Sequence, residues 1–176
     1  KGGRWFSLMD KVYSQRNLQS AFEKVKRNGG AAGVDHVTVA RFESRFVENL
    51  EQLSSALRDG TYRPQAVRRV EIPKPGSAEK RQLGIPTVRD RVVQGALRHV
   101  LEPIYERDFA QHSYGFRPKR GAKDALRRVT ALLRGGFTHV VDADFESYFD
   151  TIPHAALMER VREKIADGKV LHLIEA

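Results

Sequence analysis

Cysteine is absent from all 176 residues, which excludes disulfides and any cysteine-based zinc site. No apolar run approaches the roughly 18 residues that would cross a bilayer, so no membrane partner is expected. No signal-peptide pattern opens the chain, and with zero cysteine we expect a cytoplasmic protein. There is no low-complexity linker and no internal repeat. Acidic residues are outnumbered: 22 Asp+Glu face 31 Lys+Arg, a formal charge of +9 that suits a polyanionic partner such as RNA or DNA. With 40% hydrophobic and 30% charged residues the chain is globular rather than disordered, and long enough for one full core, or for one small domain and the beginning of a second.

The cations are clustered. Arg117, Lys119, Arg120, Lys123, Arg127 and Arg128 are opposed locally only by Asp124, and further groups are Arg63, Arg68, Arg69 and Lys74, then Lys80 and Arg81. Apolar spacing predicts a helix over Leu18, Phe22 and Val25, stopped by Gly29-Gly30. It predicts a single helix carrying Phe42, Phe46, Leu50, Leu53 and Leu57, capped by Thr38 and ended by Asp59-Gly60. Gln65–Pro73 and Arg81–Ile85 read as a hairpin around the turn Lys74-Pro75-Gly76-Ser77. Thr87, with Asp90, caps a long helix that Pro103 should end or kink. A helix from about Gly121 to Leu133 should turn Leu126, Val129 and Leu133 inward. Phe137–Phe145 reads as a strand, followed by helices opened by Pro153 and by Asp167-Gly168.

Three constellations could carry chemistry. In Val140-Val141-Asp142-Ala143-Asp144-Phe145, strand alternation would place Asp142 and Asp144 on one face. Two acids in an apolar strand suit a magnesium site for phosphoryl transfer; Asp144 as a mere turn cap is the competing reading. Lys74, Lys80 and Arg81 flank the hairpin turn, where they could grip a triphosphate or simply keep the hairpin soluble. In Ser113–Arg120, Tyr114 and Phe116 could stack on bases while Arg117, Lys119 and Arg120 hold phosphates, or the rings could fold into the core. The loop Asn28–His36 has three glycines but no Gly-Lys-Ser/Thr, so it is no Walker-type phosphate loop. His36, His99, His112, His139 and His154 lack metal-ligand spacing.

Taken in order, the segments resemble group II intron reverse transcriptases, the intron-encoded maturases. The carriers are Gly33-Val34-Asp35, Gly60-Thr61-Tyr62-Arg63-Pro64, Ile72-Pro73-Lys74, Arg81-Gln82-Leu83-Gly84-Ile85-Pro86 and Asp90-Arg91-Val92-Val93-Gln94. Leu101-Glu102-Pro103, Ser113-Tyr114-Gly115-Phe116-Arg117-Pro118 and Asp144-Phe145-Glu146-Ser147-Tyr148-Phe149-Asp150 complete the series. Gln82 stands where the family usually has Pro, Lys123 where it often has His, Phe145 for a usual Ile and Glu146 for a usual Lys.

The resemblance implies an α+β fold, the fingers of a right-hand polymerase with a basic β-hairpin, then the first strand and helices of the palm. It divides the chain into fingers over 1–135, with the hairpin at about 66–86, and the start of the palm over 136–176. It implies that Asp144 is the catalytic, magnesium-binding aspartate, with the backbone carbonyl of Phe145 a second ligand. Phe149 becomes the steric gate against ribose, Lys74 and Arg81 the triphosphate grips, and Asn28–His36 a lid near template. Arg63, Tyr114, Arg117, Lys119 and Arg120 become contacts to RNA template. The implied partners are template or intron RNA, a DNA primer and dNTPs, in a bacterial cytoplasm. The family's second metal-binding block is a Tyr-Ala-Asp-Asp hairpin, and no Asp-Asp pair occurs in this sequence. The remaining palm, thumb and maturase domain are therefore expected to be absent, the chain alone inactive, and its uncovered apolar surface prone to form a homodimer. Alternatives are a CRISPR-associated or abortive-infection reverse transcriptase, or a non-catalytic RNA-binding module.

Overall fold

The computed structural model describes residues 3–73, 76, 80–145 and 147–176. In chain order the elements are α1 (Met9–Val12), α2 (Gln15–Asn28), α3 (Val39–Glu43), α4 (Phe46–Asp59), β1 (Arg68–Pro73) and β2 (Lys80–Ile85). Then follow α5 (Val88–Glu106), α6 (Ala122–Arg134), α7 (Tyr148–Thr151), α8 (His154–Arg162) and α9 (Gly168–Glu175). The result is a mixed fold, a helical body with one small antiparallel sheet among the described residues.

The body is built on α2 against α5. Leu18, Ala21, Phe22 and Val25 of α2 face Val88, Val92, Val93 and Ala96 of α5, all buried. Gly95 lets the helices close: a Cβ there would lie 3.2 Å from that of Ala21. Phe22 stacks on Phe42 at 5.2 Å and meets Phe46 at 5.1 Å, which brings α3 and α4 onto the same core with Leu50, Leu53 and Leu57. Ile165 and Val170, on the far side of residue 136, share this core.

Asp167 ties the two ends of the chain together. One carboxylate oxygen accepts the N–H groups of Leu8 (2.8 Å) and Met9 (2.9 Å), at the start of α1. The other accepts those of Lys169 (3.0 Å) and Val170 (3.2 Å), capping α9. Beside it Trp5 and Ile165 form a parallel β-bridge. Burial pushes the Asp167 carboxyl up, but the four backbone N–H groups outweigh burial and hold it below the usual carboxylate range. A folded pKa below the unfolded one gives stability that is full above the ordinary carboxylate pKa of about 4 and is lost as pH falls through the folded value. Asp167→Asn is expected to cost about 1–3 kcal/mol at pH 7 in urea unfolding and to make stability less sensitive to acid. A variant as stable as wild type, with an unchanged acid profile, would refute this assignment.

Three expectations are corrected and one is narrowed. The helix read from Thr38 to Asp59 is two: Thr38 caps α3, accepting from the Arg41 N–H at 3.1 Å, and the chain breaks at Ser44-Arg45 before α4. Apolar spacing continues across the break because both helices turn toward one core. Of the two outcomes expected at Pro103, an end to the helix is excluded, because α5 runs on to Glu106 with the proline inside it. Leu126, Val129 and Leu133 point to solvent rather than inward (64%, 47% and 52% exposed), since no described element covers that face of α6. Phe137–Phe145 forms no strand: a ladder needs a partner, and the only described sheet is the hairpin.

Candidate nucleic-acid interface

The hairpin pairs Arg68 with Ile85 at one end and Pro73 with Lys80 at the other. Directly paired residues share a face, so Arg81, opposite Ile72, lies on the face of Arg68 and Val70. On the other face Glu71 accepts from Lys80 at 3.0 Å and from Gln82 at 3.1 Å, which ties down one expected cation. Lys74 lies outside the described residues. Arg63 folds back over the end of α4, one guanidinium nitrogen donating to the carbonyls of Gly60 (2.9 Å) and Tyr62 (2.7 Å).

The loop after α5 is held from within. The side chain of Arg117, expected on phosphate, is only 6% exposed and pairs with Glu106. Its Nε donates to both Glu106 carboxylate oxygens (3.0 and 3.1 Å), and Nη2 donates to one of them at 2.7 Å and to the Glu106 carbonyl at 3.2 Å. Nη1 donates to the carbonyls of Ala110 (2.7 Å) and Ser113 (3.0 Å), so every guanidinium nitrogen is engaged. Hydrogen bonding to Arg117 holds the Glu106 carboxyl below the usual carboxylate range. Arg117 is thus the clamp of this loop, because a buried guanidinium must find its partners inside the protein. Nothing in the local sequence marked Glu106 as its partner.

The same loop presents the remaining predicted residues. Arg120 donates to the Gln111 carbonyl and lies over the half-buried Tyr114 ring, 6.0 Å from its centroid. Lys119 is exposed, and Phe116 is 92% exposed. Beyond them α6 shows Lys123, Arg127, Arg128 and Arg134 to solvent. Lys123, Arg127 and Arg134 rim an open hollow of about 450 Å³ floored by Leu126 and Ala131. Arg127 pairs with Asp124 at 2.7 Å but keeps 75% of its side chain exposed, a contact weak enough to yield to a phosphate.

Asp142 and Asp144 stand on an exposed segment, not on one face of a strand. One Asp144 oxygen accepts the Phe145 N–H at 2.9 Å. Phe145, Tyr148 and Phe149 form a chain of rings, with centroids 5.8 and 5.3 Å apart, that puts the expected gate near the expected ligand. A carboxylate and a neighbouring carbonyl are the oxygen donors magnesium takes, so the donor chemistry fits. The described residues supply only this partial set, with no cluster of three or more acidic or histidine side chains.

The sequence pattern of the reverse transcriptase (RNA-dependent DNA polymerase) family matches residues 72–174, from the end of β1 through α9. The chain belongs to the reverse transcriptase family. This reverse transcriptase chain is 42% identical to Protein YkfC of Escherichia coli K12 over 148 residues, covering 81% of the chain and 38% of that protein. It is 38% identical to the group II intron-encoded protein LtrA of Lactococcus lactis over 156 residues, covering 88% of the chain and 25% of LtrA. Nuclear intron maturase 1 of Arabidopsis thaliana is 32% identical over 91 residues, half of the chain and 13% of that protein. The chain thus spans about a quarter to two-fifths of the length of the first two relatives. The clamped loop, α6, Asp144 and Phe149 all fall inside the reverse transcriptase match. Among the described residues no helix is long and apolar enough to cross a membrane.

Proposed function

We propose that this chain grips RNA for an RNA-directed DNA polymerase of the group II intron kind. The reading is carried by the exposed cations of Lys119 and α6, which stand inside the family match on a chain of charge +9. Residues 1–135 act as fingers and 136–176 as the opening of the palm, in a bacterial cytoplasm. The cations hold the phosphates of template or intron RNA, whose sugar–phosphate backbone supplies most of the affinity. Lys74 and Arg81 hold the triphosphate of an incoming dNTP opposite a DNA primer. Phe149 sets its ring where a ribose 2′-hydroxyl would stand and so favours the deoxy sugar. The Asp144 carboxylate and the Phe145 carbonyl would hold magnesium. When bound, the metal would lower the pKa of the attacking hydroxyl and neutralise charge on the leaving group.

The test is salt. Single-stranded RNA should bind the 176-residue chain with a log–log salt slope of about −3, as expected if four or five cations each release a counterion. Affinity should fall roughly 60-fold between 50 and 200 mM salt. Replacing Lys123, Arg127, Arg128 and Arg134 together by alanine should flatten the slope. A flat wild-type profile would overturn the reading and leave the cations as a solubility feature. In the same preparation no dNTP incorporation on a primed RNA is expected, because the sequence holds no Asp-Asp pair and the described residues set no cluster of three acidic or histidine side chains at Asp144. That absence favours RNA binding without catalysis for the chain by itself.

A further inference from the structure

We propose that Phe116 is a stacking platform for a base of single-stranded nucleic acid, an inference that rests on the RNA-gripping reading above. Two unfavourable features coincide at this residue. The residue is 92% exposed, and its backbone sits at φ +55°, where any residue with a Cβ is crowded. Lys119, three residues on, is left-handed as well, at φ +58°. Such conformations persist only where the surroundings over-determine them. Here the Arg117 clamp does so, gripping Glu106, Ala110 and Ser113 from the position next to Phe116.

The clamp leaves Phe116 on a stiff support with its ring in water. A ring on a backbone that is already held loses less freedom on binding than one on a loose loop, which is the advantage of a preorganised contact. Every base offers a π-face, so one ring can stack on any sequence while neighbouring cations take the flanking phosphates. Those cations are present: Lys119 is exposed, and Lys123 and Arg127 follow at the start of α6. The cores of protein–protein contacts are depleted of charge and of lysine in particular. The setting of Phe116 therefore favours a nucleic-acid base over an apolar protein face.

The test uses the 176-residue chain and a fluorescein-labelled single-stranded RNA of about 12 nucleotides, within the usual site size of such binders. Phe116→Ala should weaken binding about tenfold with an unchanged salt slope, because stacking releases no counterion. Lys119→Ala should instead reduce the slope by about one contact's worth. Phe116→Gly should lose the same affinity while raising Tm by about 2–4 °C, since glycine adopts the left-handed backbone without strain. Phe116→Trp, in a Trp5→Phe background, should keep binding and show indole fluorescence quenched by RNA. Equal binding by wild type and Phe116→Ala, with the salt slope intact, would overturn the stacking proposal while leaving the RNA-gripping reading standing. No binding by wild type would overturn both. An indole emission that shifts blue with protein concentration and ignores RNA would assign the ring to a protein contact instead.

Discussion

Asp90→Ala is expected to destabilise the chain by about 3–5 kcal/mol, a large part of the roughly 5–15 kcal/mol that holds a domain together. Asp90 is 2% exposed and carries a carboxylate into the core. One oxygen accepts the Tyr62 hydroxyl at 2.6 Å; the other accepts the Thr87 hydroxyl at 2.7 Å and the Gln65 N–H at 3.2 Å. The Asp90 N–H in turn donates to the Thr87 oxygen at 3.1 Å, closing the cap of α5. Alanine would strand two hydroxyls and an N–H in or beside the core, each at about 1–3 kcal/mol. Burial first, and then the hydrogen bond to Asp90, hold the Tyr62 phenol far above its ordinary pKa, so it stays a donor through the whole working range. Tyr62→Phe should cost less, about 1 kcal/mol, because Asp90 keeps its other donors. Urea midpoints at constant m-value measure both, and a double-mutant cycle gives the coupling. An Asp90→Ala midpoint within about 0.5 kcal/mol of wild type would show that the site collapses without penalty.

Much of the family signature acts as internal scaffolding of this kind. Tyr62 and Asp90 come from two separate motifs and meet across 28 positions. Arg91, beside Asp90, donates to the carbonyls of Gly29 (3.0 Å) and Ala31 (2.9 Å) and so pins the loop expected to be a lid. Gly33 of that loop lies so close to the backbone of Thr87 that a Cβ would come within 2.7 Å. The SYGFRP arginine is a clamp. Arg117 was expected on phosphate, and its hydrogen bonds instead hold the loop that presents Lys119 and Phe116.

Where local chemistry decides, the sequence was legible. Thr87 caps α5, Gly60 takes the left-handed backbone that ends α4, and the hairpin forms where turn residues separate two short runs. The failures involve long-range pairing. Periodicity shows that Leu126, Val129 and Leu133 share a face, but not whether anything lies opposite. Alternation makes Val140–Phe145 compatible with a strand, but a ladder also needs hydrogen-bond partners. The fate of Arg117 depended on Glu106, eleven positions away and without a recognisable spacing rule. At Asp144 the residues alone left a metal ligand and a turn cap open. Its present hydrogen bond to the Phe145 N–H is the local one, and the ligand reading rests on the resemblance of residues 144–150 to the family's first catalytic block.

Asp144→Ala is expected to invert the result at Asp90: no loss of fold, complete loss of activity. Asp144 is exposed on a segment without regular structure, and its described hydrogen bond is to the next residue, so its removal should change stability by less than about 0.5 kcal/mol. RNA affinity should be nearly intact, because the cations proposed to carry it stand on the clamped loop and α6. Primer extension is the measurement, made in a reverse transcriptase of the relatives' length that carries this segment. A carboxylate that holds magnesium supports several kcal/mol of transition-state stabilisation, so its loss should slow turnover by about 10³-fold or more. Asp142→Ala provides the control: strand alternation would have made the two acids equivalent, whereas the family resemblance singles out Asp144. Normal turnover in Asp144→Ala would sink the ligand assignment. An equal loss in both variants would mean that the two acids act as a pair after all, on a strand that forms only when partner strands are supplied.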